Sequence, residues 1–260
     1  MFRRNLLISC CLLLAGSFSA SAASQVDPED FKLELTGSVW ILNSSGQIQA
    51  NGSPIDIVKD LAAAQNQPTF FGKLVFKPGR RHRILVEGAP YRLGGSNTVT
   101  RTIVYHDEVF NVNENIRWSA GLNYVFGGYQ YDLISNRMGH LGLSVGGAYL
   151  SGTGAIRALP DGPASTKSQT IGLPLAGVEF RIFPIPEHPI FEINGGMRGI
   201  GLGDYGHYVE GTGSAGIMIG HLAFEGGYRA VNANLHDSRE GGSRLFLHLN
   251  GPIVSLSFRY

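Results

Sequence analysis

The sequence predicts an all-β fold, an antiparallel transmembrane β-barrel of 10–12 strands. Its last residues alternate strictly, with apolar side chains at even positions from Val254 to Tyr260 and small or polar ones between them. Glycine is abundant, at 36 of 260 residues, and only 16% of residues are charged. After residue 23, no segment has the unbroken apolar length of a membrane helix. Strands that cross a membrane must close into a barrel, because an open sheet edge in lipid leaves backbone groups without hydrogen bonds.

Residues 1–23 are typical of a secretory signal peptide that is cleaved on export. Arg3 and Arg4 precede a short apolar run, and Ala20-Ser21-Ala22 fits a cleavage site. The mature chain, residues 24–260, is predicted to be one domain. Both cysteines of the chain lie in the signal, so the mature chain has none, and disulfides, thiolate metal sites and cysteine catalysis are excluded.

The charge of the mature chain argues against nucleic acid as a partner. Loss of Arg3 and Arg4 lowers the formal net charge from +1 to −1. A nearly neutral chain lacks the positive field that attracts phosphate backbones. No cofactor is predicted. Neither His140 nor His248 has a second ligand at the spacing of a metal site, so no metal is predicted either.

Alternation of apolar and polar residues predicts eleven strands. They are 31–42, 68–77, 81–91, 98–105, 109–133, 138–150, 168–183, 189–200, 207–219, 222–236 and 243–260. Because a single-chain bacterial barrel has an even number of strands, twelve is preferred over ten. Residues 55–61 are either the missing strand or a short helical plug. A soluble sandwich also alternates, but the long strands and the aromatic end favour the barrel.

Two strands change phase partway. Leu245, Leu247 and Leu249 are odd, whereas the apolar residues from Val254 onward are even, and the change falls at Gly251-Pro252. A one-residue β-bulge there would keep both halves facing lipid. A second change falls around Pro174 to Gly177 in the 168–183 strand. In 116–126, the set from Ile116 to Phe126 at even positions is predicted to face lipid.

The turns predict which ends face the periplasm. Short turns at 135–137, 184–188 and 220–221 fall on the periplasmic side when counted back from a periplasmic C-terminus. Residues 151–167 and 236–243 then form longer loops on the extracellular side.

The face opposite the predicted lipid-facing side carries charges of both signs, which pair in a wet lumen and offset each other's desolvation. The residues predicted to line the lumen are Arg117, Glu179, Arg181, Glu192, Arg198, Glu210, Glu225, Arg229 and His248. Such a lumen is either a closed, rigid interior or a constriction that selects small solutes by charge. The main functional hypothesis is therefore a non-enzymatic barrel, structural or weakly porin-like.

Two alternatives rest on loop residues. His236, Asp237 and Ser238 combine base, acid and nucleophile types in a predicted extracellular loop, which suggests a lipid-modifying hydrolase at the rim. Adjacent residues rarely form a working triad, because their side chains point apart. The loops 43–66 and 151–167 suggest instead a surface adhesin or receptor.

The chain resembles the outer-membrane β-barrel superfamily, in particular its small OmpA- and OmpW-like members. The signal at 1–23, the penultimate strand with Gly227-Tyr228-Arg229 and the final strand Val254–Tyr260 carry this resemblance. It implies the outer membrane of a Gram-negative bacterium, contact with outer-membrane lipid, and recognition of Phe258 and Tyr260 by the outer-membrane assembly machinery.

Overall fold

Ten long antiparallel strands close into a barrel in the computed structural model, which describes residues 27–49, 53–105, 108–237 and 243–260. The ring is closed by pairing of the last strand with the first. Three further short strands lie outside it. The strands are β1 Leu33–Gln49, β2 Ile55–Asp56, β3 Gln67–Gly79, β4 His82–Thr98, β5 Ile103–Tyr105, β6 Glu108–Phe110, β7 Asn115–Asn136, β8 Gly139–Leu159, β9 Ala164–Ile182, β10 Phe191–Gly201, β11 Gly206–Ile219, β12 Leu222–Asp237 and β13 Ser243–Arg259.

The preferred count of twelve strands is wrong, and the error lies between β1 and β7. Residues 98–105 do not form a barrel strand, because Ile103–Tyr105 pairs only with Glu108–Phe110 in a separate hairpin. Ile55–Asp56 pairs with the end of β1 but continues into a turn rather than a crossing strand. The ring order is β1, β3, β4, β7, β8, β9, β10, β11, β12 and β13.

The barrel has two different ends. The connections 79–82, 136–139, 182–191 and 219–222 lie at the same end as both described termini, and the connections that follow β1, β4, β8, β10 and β12 lie at the other. We call these the terminal end and the loop end. Among the residues that the structure describes, no helix is long and apolar enough to span a membrane.

The polarity of the wall inverts along the strands. In β9, the outer face carries Val178, Phe180 and Ile182 near the terminal end but Thr166, Ser168 and Thr170 near the loop end. The inner face shows the reverse order: Glu179 and Arg181 lie near the terminal end, and buried Leu173 and Leu175 lie closer to the loop end. We call the part with an apolar outer face the terminal half and the part with a polar outer face the loop half. About 9–11 residues suffice to cross a bilayer, so strands of 19–22 residues extend well beyond one.

This inversion, and not a bulge, explains the two phase changes. Trp40 pairs with Ile253 and Asn43 pairs with Asn250, which is one constant register on both sides of Gly251-Pro252. The β8–β9 register is also constant through Pro174–Gly177. The predicted bulge at Gly251-Pro252 is therefore wrong, and no bulge accompanies the second phase change. Gly251 is needed for a close approach, because a Cβ there would lie 1.9 Å from the carbonyl oxygen of Ile41.

The assignment of the 116–126 face is wrong for the same reason. Ile116, Trp118, Tyr124 and Phe126 are buried inside the barrel, while Arg117 between the first two is exposed. An apolar face points to lipid only where lipid surrounds the wall. In the loop half the wall is polar outside, so the apolar face of β7 turns inward.

Two short segments help to close the barrel. Near the terminal end, Glu29 and Phe31 precede β1 and are buried in the interior. Near the loop end, residues 57–63 follow β2 and bury Ile57 and Leu61. Asp60 in this turn forms an ion pair with Arg101 at 2.5 Å, which ties the segment to the β4–β5 connection. Residues 55–61 are thus a plug formed by a short strand and a turn, neither a twelfth crossing strand nor a helix.

Candidate functional site

The candidate site is the barrel interior, whose middle is filled by paired charges. Lys73 on β3 contacts Glu179 on β9 at 2.7 Å and Glu87 on β4 at 3.4 Å. Arg198 on β10 bonds to both Glu87 and Glu210. These residues alternate along their strands with apolar residues that are exposed on the outer face.

Arg229 completes this set, which we call the middle network: Lys73, Glu87, Glu179, Arg198, Glu210 and Arg229. Arg229 Nη2 donates to Glu210 Oε2 at 2.7 Å. Its guanidinium carbon also lies 4.4 Å from the ring centroid of Phe71. The aromatic ring stabilises the cation through its face. Each cation of the middle network also has an anionic partner.

A second set of charges lies nearer the terminal end. Arg181 on β9 donates to Glu34 on β1 at 2.8 Å, and Arg259 on β13 donates to the other oxygen of Glu34 at 2.8 Å. Arg259 also contacts Glu192 at 2.8 Å. In the ring order, β1 and β9 are five strands apart in either direction, so the Glu34–Arg181 pair joins opposite walls.

The N-terminal residues add a carboxylate to this set. Glu29 contacts Lys77 at 3.4 Å, Arg83 at 2.6 Å, and both His140 and Arg181 at 3.2 Å. Burial alone would raise the pKa of Glu29. The attraction of Arg181 and the hydrogen bond with His140 outweigh burial and hold this pKa well below its usual range. The segment before β1 is thus fastened inside the terminal end by an ionised carboxylate.

The loop half contains an apolar cavity of about 650 Å³. Aliphatic side chains from β8, β9, β12 and β13 form much of its wall, and Ile57 of the plug contributes as well. Leu245, Leu247 and Leu249 face it from β13. These are the leucines whose alternation suggested a lipid-facing strand.

A layer of aromatic side chains separates this cavity from the charges below. Tyr91 and Tyr208 line the cavity floor, and both are buried. The Tyr208 hydroxyl donates to Glu210 Oε2 at 3.1 Å, and the Tyr124 hydroxyl donates to Glu210 Oε1 at 2.6 Å. Beneath the layer lies a smaller cavity of about 140 Å³ lined by charged residues. The interior is therefore polar in the terminal half and apolar in the loop half.

The structure puts most of the predicted lumen residues in the interior. Those that belong to the two charged sets are Glu179, Arg181, Glu192, Arg198, Glu210 and Arg229. Glu225 accepts a hydrogen bond from Asn194, which itself accepts one from Arg181. The other two predicted lumen residues, Arg117 and His248, do not line the interior. Arg117 is exposed between two buried residues, and His248 lies between buried Leu247 and Leu249, so both belong to the outer face. Each lies in the loop half, where the polar side faces out.

Several residues of the charged interior were not predicted from the sequence. They are Glu29, Lys73, Lys77, Arg83, Glu87 and Asp132. Alternation along the strands could have identified most of them, because Lys73 and Lys77 lie on the same face of β3, and Arg83 and Glu87 lie on the same face of β4. No local pattern marks Glu29, because it precedes the first strand and is buried only through contacts distant in sequence.

The proposed catalytic residues are only partly described. His236 and Asp237 belong to β12 rather than to a loop, and His236 borders the apolar cavity. Ser238 and the side chain of Asp237 lie outside the described residues, so their role stays a prediction. Within the described ranges, no group of three histidine or carboxylate side chains is arranged to hold a metal ion.

The predicted loop 151–167 is wrong, because β8 continues to Leu159 and β9 begins at Ala164. The predicted loop 43–66 also changes, since its first part extends β1. At the other end of the chain, Phe258 and Tyr260 expose 45% and 76% of their surface on the outer face. Recognition of these two residues by the outer-membrane assembly machinery, which the resemblance implies, stays a prediction.

No family model matches this chain, and no curated protein does. Solved structures do. The outer membrane protease OmpT from Escherichia coli is 14% identical, with a TM-score of 0.57, and the match covers 93% of this chain and 100% of that chain. The translocator domain of the autotransporter NalP from Neisseria meningitidis is 10% identical over 88% of this chain and 89% of that one, with a TM-score of 0.47.

The attachment invasion locus protein Ail of Yersinia pestis is also similar, at 10% identity and a TM-score of 0.37, over 88% of this chain and 99% of that chain. At such identities the likeness concerns the fold alone. The chain has the all-β, closed, antiparallel fold of outer-membrane β-barrels.

Proposed function

We propose that this chain is an integral protein of the bacterial outer membrane whose barrel is closed and non-enzymatic, and that it does not act as a porin. The terminal half is the membrane-spanning part, and the loop half projects from the cell surface. The observation that carries the proposal is the set of ion pairs that cross the interior from wall to wall.

The outer surface of the terminal half supports membrane insertion. Large apolar side chains are exposed there. The exposed fraction is 69% for Phe70, 66% for Val254 and 61% for Val145. An apolar band of this kind on a barrel is stable when acyl chains surround it. Water would instead favour the pattern seen in the loop half.

The crossing ion pairs support closure. Glu34–Arg181 joins opposite walls, and Lys73–Glu179 and Glu87–Arg198 each join strands four places apart in the ring. A side-chain pair that spans the diameter occupies the space through which a solute would pass. Barrels of about eight strands fill their interior with side chains, whereas wide channels need about 16.

Ion pairing also offsets the free-energy cost of burying these charges. Moving one charge out of water costs several kcal/mol, and an oppositely charged neighbour with good geometry offsets that cost. Glu210 receives two tyrosine hydroxyl bonds in addition to two arginines. Opening a path would separate these partners, so the closed arrangement resists thermal opening.

Conductance in planar lipid bilayers tests the proposal. The refolded mature protein should insert and give no steady ion current at low voltage, while an open porin in the same lipid gives discrete steps. Insertion is verified separately, by a heat-dependent shift in gel mobility of protein recovered from the same vesicles. A reproducible open-channel current from inserted protein would overturn the closed-barrel proposal.

A further inference from the structure

The apolar cavity in the loop half is larger than close packing explains. Protein interiors contain few voids larger than a water molecule, whereas this one measures about 650 Å³. Ligand pockets span about 300–1,000 Å³. The strands that surround it hold it open, because β7, β8 and β9 are paired along this whole region.

The wall of the cavity presents mainly carbon. Leu122, Leu150, Ile171 and Leu173 line one side, and the β13 leucines line the other. Two of the polar atoms of the lining aromatics are already bonded elsewhere, whereas the buried Tyr91 hydroxyl has no hydrogen-bond partner among the described residues. Trp118 Nε1 donates to the carbonyl oxygen of Leu61 at 2.5 Å, and the Tyr208 hydroxyl donates to Glu210.

Such a wall does not suit water. An ordered water needs two to four polar partners, and an apolar cavity of about 150 Å³ stays dry and takes up a hydrocarbon instead. An aliphatic guest would gain free energy by removing its apolar surface from water. The chemistry of the wall therefore selects an apolar chain.

The cavity has a closed floor and an edge at the loop end. Below it, Tyr91 and Tyr208 lie on the middle network, which bars passage toward the terminal end. At its other side, Lys167, Gln169 and Tyr205 contribute to the lining, and Gln169 and Tyr205 are exposed. A guest can thus keep a polar end at this edge while its chain lies among the leucines.

We propose that this cavity binds a long aliphatic chain, such as the acyl chain of a fatty acid or of a lipid, entering from the loop end. The inference deepens the proposed function, because it gives the closed barrel a ligand, and it depends on that function only for the loop end facing outward. A free fatty acid and a lipid acyl chain share this chemistry, so the experiment must tell the two sources apart.

The two tryptophans of the chain make a matched pair of reporters. Trp118 lines the cavity, whereas Trp40 is fully buried beside Tyr91 and donates to the carbonyl oxygen of Gly251. Neither faces the lipid side. A fatty acid carrying bromine on its chain quenches tryptophan emission by contact. The protein is reconstituted in vesicles of unbrominated saturated lipid, and this brominated fatty acid is titrated in.

In the Trp40→Phe variant, which retains Trp118, most of the emission should be lost in a saturable manner. In the Trp118→Phe variant, nearly all emission should remain. If Trp118 is not quenched saturably, or if both tryptophans are quenched equally, the cavity does not bind the chain. Gel mobility with and without heating confirms that each variant is folded before the titration.

Filling the cavity gives a second, independent test. Ala120 and Ala233 line the cavity, whereas Ala155 lies on the outer face of β8. In the Trp40→Phe background, Ala120→Phe together with Ala233→Phe should raise the dissociation constant of the brominated fatty acid at least about tenfold, which is 1.4 kcal/mol. Ala155→Phe should leave it unchanged. Equal affinities in both variants would contradict binding inside the barrel.

The source of the ligand follows from mass spectrometry of protein extracted from native outer membranes. A lipid bound to the native protein and absent from the cavity-filled variant identifies an acyl lipid as the ligand. No bound lipid, combined with saturable quenching, identifies a free aliphatic compound. Conductance distinguishes the two proposals: a conducting barrel with quenched Trp118 overturns only closure, and a silent barrel without quenching overturns only the ligand.

Discussion

Arg181 and Glu34 lie on opposite walls of the barrel, and Nη2 of the arginine meets Oε1 of the glutamate at 2.8 Å. The second carboxylate oxygen of Glu34 accepts from Arg259 at the same distance. One carboxylate thus holds three strands together across the interior. This relation bears on stability and on closure, because its loss would leave two buried cations with fewer partners.

Removal of Glu34 alone should be strongly destabilising. Breaking a buried ion pair on one side costs about 3–5 kcal/mol, whereas replacing both partners by apolar residues costs far less. We expect the double variant to lower the free energy of unfolding by less than the sum of the effects of Glu34→Met and Arg181→Met. Urea unfolding in liposomes, followed by tryptophan emission, measures all three. The exposed Arg157→Met serves as the control, and additive single effects would show that the pair is not coupled.

The inversion of wall polarity predicts that a charge is tolerated in one half and not in the other. Leu143 and Ala155 both lie on the outer face of β8, the first in the terminal half and the second in the loop half. Leu143→Arg should cost about 2–4 kcal/mol if it lies near the middle of the bilayer, and Ala155→Arg about 0–1 kcal/mol. Unfolding in liposomes checks this. Equal costs at the two sites would mean that the bilayer surrounds the whole wall.

The C-terminal strand should be needed for assembly. Phe258 lies on the apolar outer face, where a carboxylate would be placed against lipid. We expect Phe258→Asp, and likewise deletion of Tyr260, to abolish the heat-modifiable, protease-resistant form in outer membranes. Phe246→Asp on the loop half of the same strand should assemble normally. Full assembly of the Phe258 variant would argue against recognition of this end.

Acid should release the segment before β1. The pKa of Glu29 is held well below its ordinary value of 4.5 by Arg181 and His140, although burial opposes this. Because the folded pKa is the lower one, the stabilisation is complete above about pH 4.5 and is lost as the pH falls through the folded pKa. Proteolysis of the N-terminal segment by an acid-active protease should therefore increase at low pH in the wild type.

Glu29→Gln provides the control for this pH effect. Its amide has no charge to lose, so cleavage of the segment should be faster at neutral pH and should change little on acidification. If the wild type and Glu29→Gln respond to acid equally, the ion pairs of Glu29 do not hold the segment.

The sequence by itself determined the all-β barrel class, the strand positions from β10 onward, and the polar face of the terminal half. Period-2 alternation is a local property that survives in each strand, so Glu192, Arg198, Glu210 and Arg229 were assigned to the interior correctly from their neighbours. Local patterns also place the turns at 135–137, 184–188 and 220–221, all three within or next to connections of the terminal end.

Only the tertiary structure decided which side of each strand faces inward in the loop half. Alternation gives two faces but does not say whether lipid or water lies outside, and that depends on the height of a residue in the barrel. Leu245, Leu247 and Leu249 therefore line a cavity, and Arg117 and His248 face outward. The ten-strand ring, the burial of Glu29 and the Glu34–Arg181 pair likewise depend on ring closure, which brings distant strands together.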